Sequence, residues 1–203
     1  MIAALTGSGL AAAAGLNAWI PFVLVAVLAR VTDLIVLPTE YSWVRSDWAI
    51  AVGAVLLLVE IVLDKVPVVD HVNDLISTAV RPTVGGLISS ATFSAQNLDN
   101  SQWMRDNPWA GALIGVVVAG LTHATKSAAR PVVNLSTAGF GAPVVSTLED
   151  VLSVILSVLA IFAPIALAVA LVLMVWGMVV IWRRWEARRR RRERALAGPA
   201  AVP

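Results

Sequence analysis

The stretch Trp48-Ala-Ile-Ala-Val-Gly-Ala-Val-Leu-Leu-Leu-Val-Glu60-Ile-Val-Leu-Asp64-Lys65-Val-Pro67-Val-Val-Asp70-His71-Val-Asn-Asp74 decides the fold class. It begins as an uncharged apolar run and then fills with ionisable side chains. An ionisable residue within hydrocarbon costs at least about 2.5 to 3.5 kcal/mol on insertion scales, so such a group faces a bundle interior or a cavity and marks a functional site. Composition makes hydrocarbon the relevant solvent. Hydrophobic residues make up 59% of the 203 and charged residues only 14%, against about a quarter charged in soluble domains. The expectation is an all-α, polytopic membrane bundle of four to five spans with broken or re-entrant helices, carrying an intramembrane polar site.

A spanning helix needs about 20 mostly apolar residues. Four segments approach that length: Leu10 to Ala29, Trp48 to Asp64, Trp109 to His123 and Val151 to Trp182. The second and third are short and open on interfacial aromatics, which predicts helix ends inside protein. The last has 32 residues without charge and contains Pro164, so it is expected to tilt, or to break near that proline. The segment from Leu75 to Ala95, interrupted by Arg81-Pro82 and Gly85-Gly86, leaves re-entrant, interfacial and fifth-span readings open. A weak internal echo pairs Trp48…Lys65 with Trp109…Lys126, each followed by an Arg-Pro pair. A true repeat would place a site where discontinuous helices of two halves meet.

Residues 1–182 are read as a transmembrane helical domain and 183–203 as a cytoplasmic tail. The tail holds eight Arg and two Glu, leaving seven basic against eleven acidic residues before it, a net of −4. The arginines follow a membrane span and lack interleaved aromatics, so the positive-inside rule and anionic lipid explain them better than nucleic acid. No basic residue precedes the first apolar run, so the N-terminus is expected to be retained rather than cleaved as a signal. With no cysteine, disulfides, thiolate chemistry and sulfur-ligated metals are excluded.

Glu60 and Asp64, four apart, share one helix face, and two such carboxylates repel unless a cation, a proton or a basic residue lies between them. They are read as a cation or proton site, or as a structural pair with Arg81, Arg130 or His123. Asp70, His71 and Asp74 have a spacing that suits a hard or borderline divalent metal if helical, although a solvated loop end is the simpler reading. His123, Lys126 and Arg130 form a basic face that neutralises the acidic one or holds an anion. Snorkelling at the interface is the plain alternative for Lys126 and Arg130. Ser146 and Glu149 read first as a capping box before the longest apolar run, and Glu149 and Asp150 are secondary site candidates. The glycine-rich segment Thr137 to Pro143 is expected to be a sharply turned approach to that helix. In Gly15-Leu-Asn17-Ala-Trp-Ile-Pro21, the proline is expected to free the Asn17 carbonyl, which beside an amide side chain suits a cation. Close helix packing through Ala11 to Gly15 is the plain alternative.

Together, Gly15…Asn17…Pro21, Glu60…Asp64-Lys65…Asp70-His71…Asp74, Arg81-Pro82, His123…Lys126…Arg130 and Ser146…Glu149-Asp150 resemble an uncharacterised bacterial family of small integral membrane proteins, the domain of unknown function numbered four-one-two-six. The resemblance covers roughly residues 8 to 165. It implies a multi-span membrane protein in which these groups form one pattern, and it implies no activity.

The leading expectation is a small transporter or channel with an acidic cation or proton site at Glu60, Asp64, Asp70 and Asp74, joined by Glu149 and Asp150, with Lys65, His123, Lys126 and Arg130 balancing its charge. So few spans form little wall for a pathway, which favours a homo-oligomer. The alternative is a non-transporting scaffold or accessory subunit held by buried ion pairs. No nucleophile motif or complete metal set supports an intramembrane enzyme, and no cofactor is expected.

Overall fold

The computed structural model describes residues 1–65, 67–99, 101–137 and 141–169 with positions 172, 176, 180 and 183, and it describes side chains for all of these except 67–74, 130–136 and 142. Among the described residues every regular element is helical. They are α1 (Ile2–Leu16), α2 (Trp19–Val31), a 3-10 turn (Thr39–Arg45), α3 (Asp47–Leu63), α4 (Pro67–Phe93), α5 (Gln102–Asp106), α6 (Pro108–Ser136) and α7 (Ala142–Phe162).

The apolar run from Leu10 to Ala29 is not one span. It breaks at Asn17, whose backbone is extended at φ −144° and ψ 119°, and α2 starts afresh two residues later. Asn17 Oδ1 accepts the amide N–H groups of Trp19 at 3.1 Å and Ile20 at 3.3 Å, which caps the new helix. Pro21 therefore does not make the break. It occupies the first turn of α2, where a missing N–H removes no helical bond.

The segment from Leu75 to Ala95 also differs from expectation, because α4 runs unbroken through Arg81-Pro82 to Phe93. At about 40 Å it is the central helix, packed along α6 and α1, with Val84, Ile88 and Ala91 buried. Packing on both sides holds the helix together across Pro82, and the same packing removes the need for lipid-facing hydropathy. Glycine makes that packing possible. A Cβ on Gly85 would lie 2.5 Å from the Ala119 Cβ and 3.2 Å from the Gly115 carbonyl, so α4 and α6 cross almost backbone to backbone.

Helix α3 starts on a Ser46 cap that accepts from the Ala49 amide at 3.4 Å, and it ends at Asp64. Its counterpart in the echo, α6, continues past Lys126 to Ser136, so the internal echo between these segments is not carried into matching secondary structure. Helix α7 begins at Ala142 with Pro143 in its first turn, five residues earlier than the capping-box reading of Ser146 requires. Ser146 is thus inside the helix. As expected, the final apolar run is interrupted, with Ala163 at φ −144° and ψ 56° immediately before Pro164 and helix resuming over 164–169.

Among the described residues two helices are long and apolar enough to cross a membrane, Pro108–Ala129 and Pro143–Phe162, or three if the 59° bend between Thr39–Arg45 and Asp47–Leu63 lies within one span. Their outward faces expose Val55, Leu58, Leu113, Leu121, Val151 and Phe162. One end of the bundle is tied by Asn97, which accepts from the Val36 amide and donates to the Asp33 and Leu34 carbonyls, and by the Met1 ammonium paired with Asp99. Asn17 lies one length of α1, about 22 Å, from that end.

Candidate functional site

Four helix segments and the α1–α2 break converge on one buried charge cluster. The last turn of α3 supplies Glu60 and Asp64 on a shared face, as their spacing predicts. Arg81 of α4, with 0% of its side chain exposed, meets both. Its Nε donates at 3.1 Å and its Nη2 at 2.8 Å to Glu60 Oε1, and Nη2 also donates to Asp64 Oδ2 at 3.4 Å. Because two donors converge on one oxygen of Glu60 instead of forking over both, Glu60 Oε2 is left buried without a hydrogen-bond partner.

Helix α6 approaches from the other side. Arg81 Nη1 lies 3.0 Å from His123 Nδ1, and since a guanidinium can only donate, Nδ1 accepts. The ring is therefore neutral with its proton on Nε2, which lies 3.1 Å from the Thr78 hydroxyl. One turn on, Lys126 Nζ donates to Asp64 Oδ2 at 3.1 Å and to the Leu16 carbonyl at 2.9 Å, and pairs with Glu149 Oε2 at 2.9 Å. The Leu16 carbonyl is available because the helical break removes its partner amide, now bound by Asn17 Oδ1. The carbonyl of Asn17 itself lies 3.5 Å from the Ser153 hydroxyl, which also donates to Ala13 at 3.0 Å.

Asn17 Nδ2 donates to Asp150 Oδ1 at 2.9 Å, and Asp150 Oδ2 takes the Lys65 ammonium at 3.3 Å. Thus Glu149 faces Lys126 instead of closing a capping box, and the next residue links α7 to both α3 and the α1–α2 break. Lys126 is 1% exposed, which overturns the snorkelling reading for it. Its partners are carboxylates and a carbonyl, so the position offered to an anion is filled by the protein's own acids.

Nine of the residues singled out in the sequence are gathered here: Asn17, Glu60, Asp64, Lys65, Arg81, His123, Lys126, Glu149 and Asp150. The side chains of Asp70, His71, Asp74 and Arg130 lie outside the described residues, although all four positions fall within α4 or α6. The sequence reading missed Thr78, Ser153 and the Leu16 carbonyl. Thr78 had a signal, since it sits three residues before Arg81 on the same helix face, whereas nothing local marks Ser153 as the partner of a distant backbone break. Among the described residues no three His, Asp or Glu side chains converge as metal ligands; each carboxylate instead faces an arginine or a lysine.

Among the described members four carboxylates meet three protein cations and one imidazole. Beside the cluster lies a cavity of about 210 Å³ lined by Trp19, Leu56, Val59, Glu60, Leu63, Ile76, Ser77 and Val80. Among these described residues Glu60 is the charged one.

No curated protein and no solved structure matches this chain. The family model described as Domain of unknown function (DUF4126) matches residues 4–184, taking in every member of the cluster, and the chain belongs to that family.

Proposed function

We propose that this protein is a polytopic membrane protein, a small transporter or channel, whose buried cluster takes up one monovalent cation or proton. The observation that carries the proposal is the imbalance at Glu60. A buried carboxylate oxygen without a hydrogen-bond partner, Glu60 Oε2, is costly in a low-dielectric interior unless a cation or a proton meets it. The broken α1–α2 segment supports the same reading, because discontinuous helices whose freed backbone groups meet a charged site are a recurring transporter device. Apolar faces left outward on α3, α6 and α7 favour lipid as their surroundings. In this reading the bundle crosses the bilayer four to five times, the arginine-rich tail lies on the cytoplasmic side against anionic lipid, and two or more copies assemble to complete a pathway.

Arg81 is shared by Glu60 and Asp64, and Lys126 by Asp64, Glu149 and the Leu16 carbonyl. A cation arriving at Glu60 lets Arg81 shift toward Asp64 and loosens the hold of Lys126 there, so charge entering at α3 is felt at α1 and α7. The second reading, a scaffold whose ion pairs only fix helix register, is favoured by the short Arg81–Glu60 and Lys126–Glu149 contacts.

The test is flux in proteoliposomes across monovalent cations, divalent cations, protons and phosphate, for wild type and folded Glu60→Gln and Asp64→Asn proteins. Cation or proton flux that disappears in both variants supports transport. Absence of flux for every species in assembled wild-type protein moves the reading to the scaffold.

A further inference from the structure

The cavity between α2, α3 and α4 has walls unlike those of an inorganic ion site. Among the described residues, six of the eight that line it are apolar or aromatic, and the polar ones are Glu60 and Ser77. A bare metal ion needs about six oxygen ligands, more than these two side chains offer. A primary ammonium needs far fewer, because its three N–H donors can be met by one carboxylate oxygen, one hydroxyl and a residual water.

Glu60, a residue of this wall, has that oxygen in Oε2. The residue is 5% exposed and already uses Oε1 for both Arg81 contacts, while Oε2 is buried without a partner, so a turn of the side chain toward the cavity brings it to a guest. Trp19 adds an aromatic wall, a surface favourable to cations. The exposed rim residues Val59 and Ile76 are apolar, so the mouth opens on the face that the preceding section assigns to lipid. A guest arriving there must itself be partly apolar. The volume is below the roughly 300 to 1,000 Å³ of drug-sized sites, which limits the apolar body to about one ring or a short alkyl chain.

We propose that this cavity binds a primary ammonium carried on a short apolar body, with Glu60 as its counter-charge. The proposal rests on Glu60 accepting a cation and names the class of that cation, but it does not require transport. The ammonium has two sources, a free lipophilic amine or the head group of an ethanolamine phospholipid.

The test uses full-length protein in phosphatidylcholine nanodiscs, with 4-fluorophenethylamine followed by ¹⁹F NMR and 2-(4-fluorophenyl)ethanol as the uncharged control. We expect saturable amine binding, at least about tenfold weaker binding of the alcohol, a similar weakening in Glu60→Gln, and loss of binding in Leu56→Trp, which fills the cavity without touching an ion pair. Equal binding of alcohol and amine, wild-type binding by Leu56→Trp, or no saturable binding by wild type overturns the proposal. Should Glu60→Gln fail to fold, the alcohol still reads the charge requirement in the native protein. Phosphatidylethanolamine in the nanodisc that displaces the amine assigns the site to the lipid head group; no displacement assigns it to the free amine. Amine binding without flux of any ion leaves this proposal standing and removes transport, whereas Glu60-dependent ion flux without amine binding does the reverse.

Discussion

Lys126 Nζ lies 2.9 Å from the carbonyl oxygen of Leu16, the group left open where α1 stops. A residue of α6 thus fills the place of a helical amide on α1 while also holding Asp64 and Glu149. Replacing it removes three interactions from a dry site. Lys126→Met should destabilise the protein by about 3 to 5 kcal/mol, since it removes the cation shared by two buried carboxylates. Lys65→Met, at a lysine one-third exposed, should cost no more than about 1 kcal/mol. Thermal unfolding of both variants in one detergent checks the order, and equal losses would contradict the assigned difference in burial.

Arg81 and Glu60 allow the transporter and scaffold readings to be separated by stability and activity together. Arg81→Met alone should cost about 3 to 5 kcal/mol, because Glu60 loses its protein partner and Asp64 loses its guanidinium contact. Glu60→Leu with Arg81→Met should recover much of that loss, as paired apolar replacements of buried ion pairs often do. If the recovered double variant keeps every biological readout of the wild type, the cluster is structural. If it folds but conducts nothing, the charges carry the activity.

Asn17 has two separable duties, capping α2 through Oδ1 and donating to Asp150 through Nδ2. Asn17→Ala removes both and should cost about 1 to 3 kcal/mol. Asn17→Asp keeps the cap oxygen but sets a carboxylate against Asp150. Denaturation midpoints should therefore rank wild type above Ala and Ala above Asp; an Asp variant as stable as wild type would mean that the cap alone matters.

Gly85 and Gly120 test the helix crossing. A methyl group at Gly85 would meet the Ala119 Cβ at 2.5 Å, whereas at Gly120 its nearest neighbour is the Pro82 Cγ at 3.8 Å. Gly85→Ala should lose about 1 to 3 kcal/mol through overpacking. Gly120→Ala should be neutral or gain up to about 1 kcal/mol from helix propensity. Unfolding measurements that show both variants weakened alike would place the close approach elsewhere.

The sequence by itself determined the all-helical class and the shared acidic face of Glu60 and Asp64, and it narrowed the final apolar run to a tilt or a break near Pro164, because composition and helical periodicity act locally. The pairing of Lys126 with those acids was also legible, since opposite charges in an apolar chain have few other places to go. Tertiary structure decided the rest. Asn17, not Pro21, ends α1, because the Asn side chain can cap the next helix and reach Asp150, a residue 133 positions away. Helix α4 stays whole through Pro82 because α1 and α6 enclose it, and no window of its own sequence contains that support. Glu149 serves Lys126 rather than a cap because Pro143 starts α7 a turn earlier. Which carboxylate oxygen each cation takes, and which one is left over on Glu60, depends on angstrom-scale convergence of five chain segments that no spacing rule encodes.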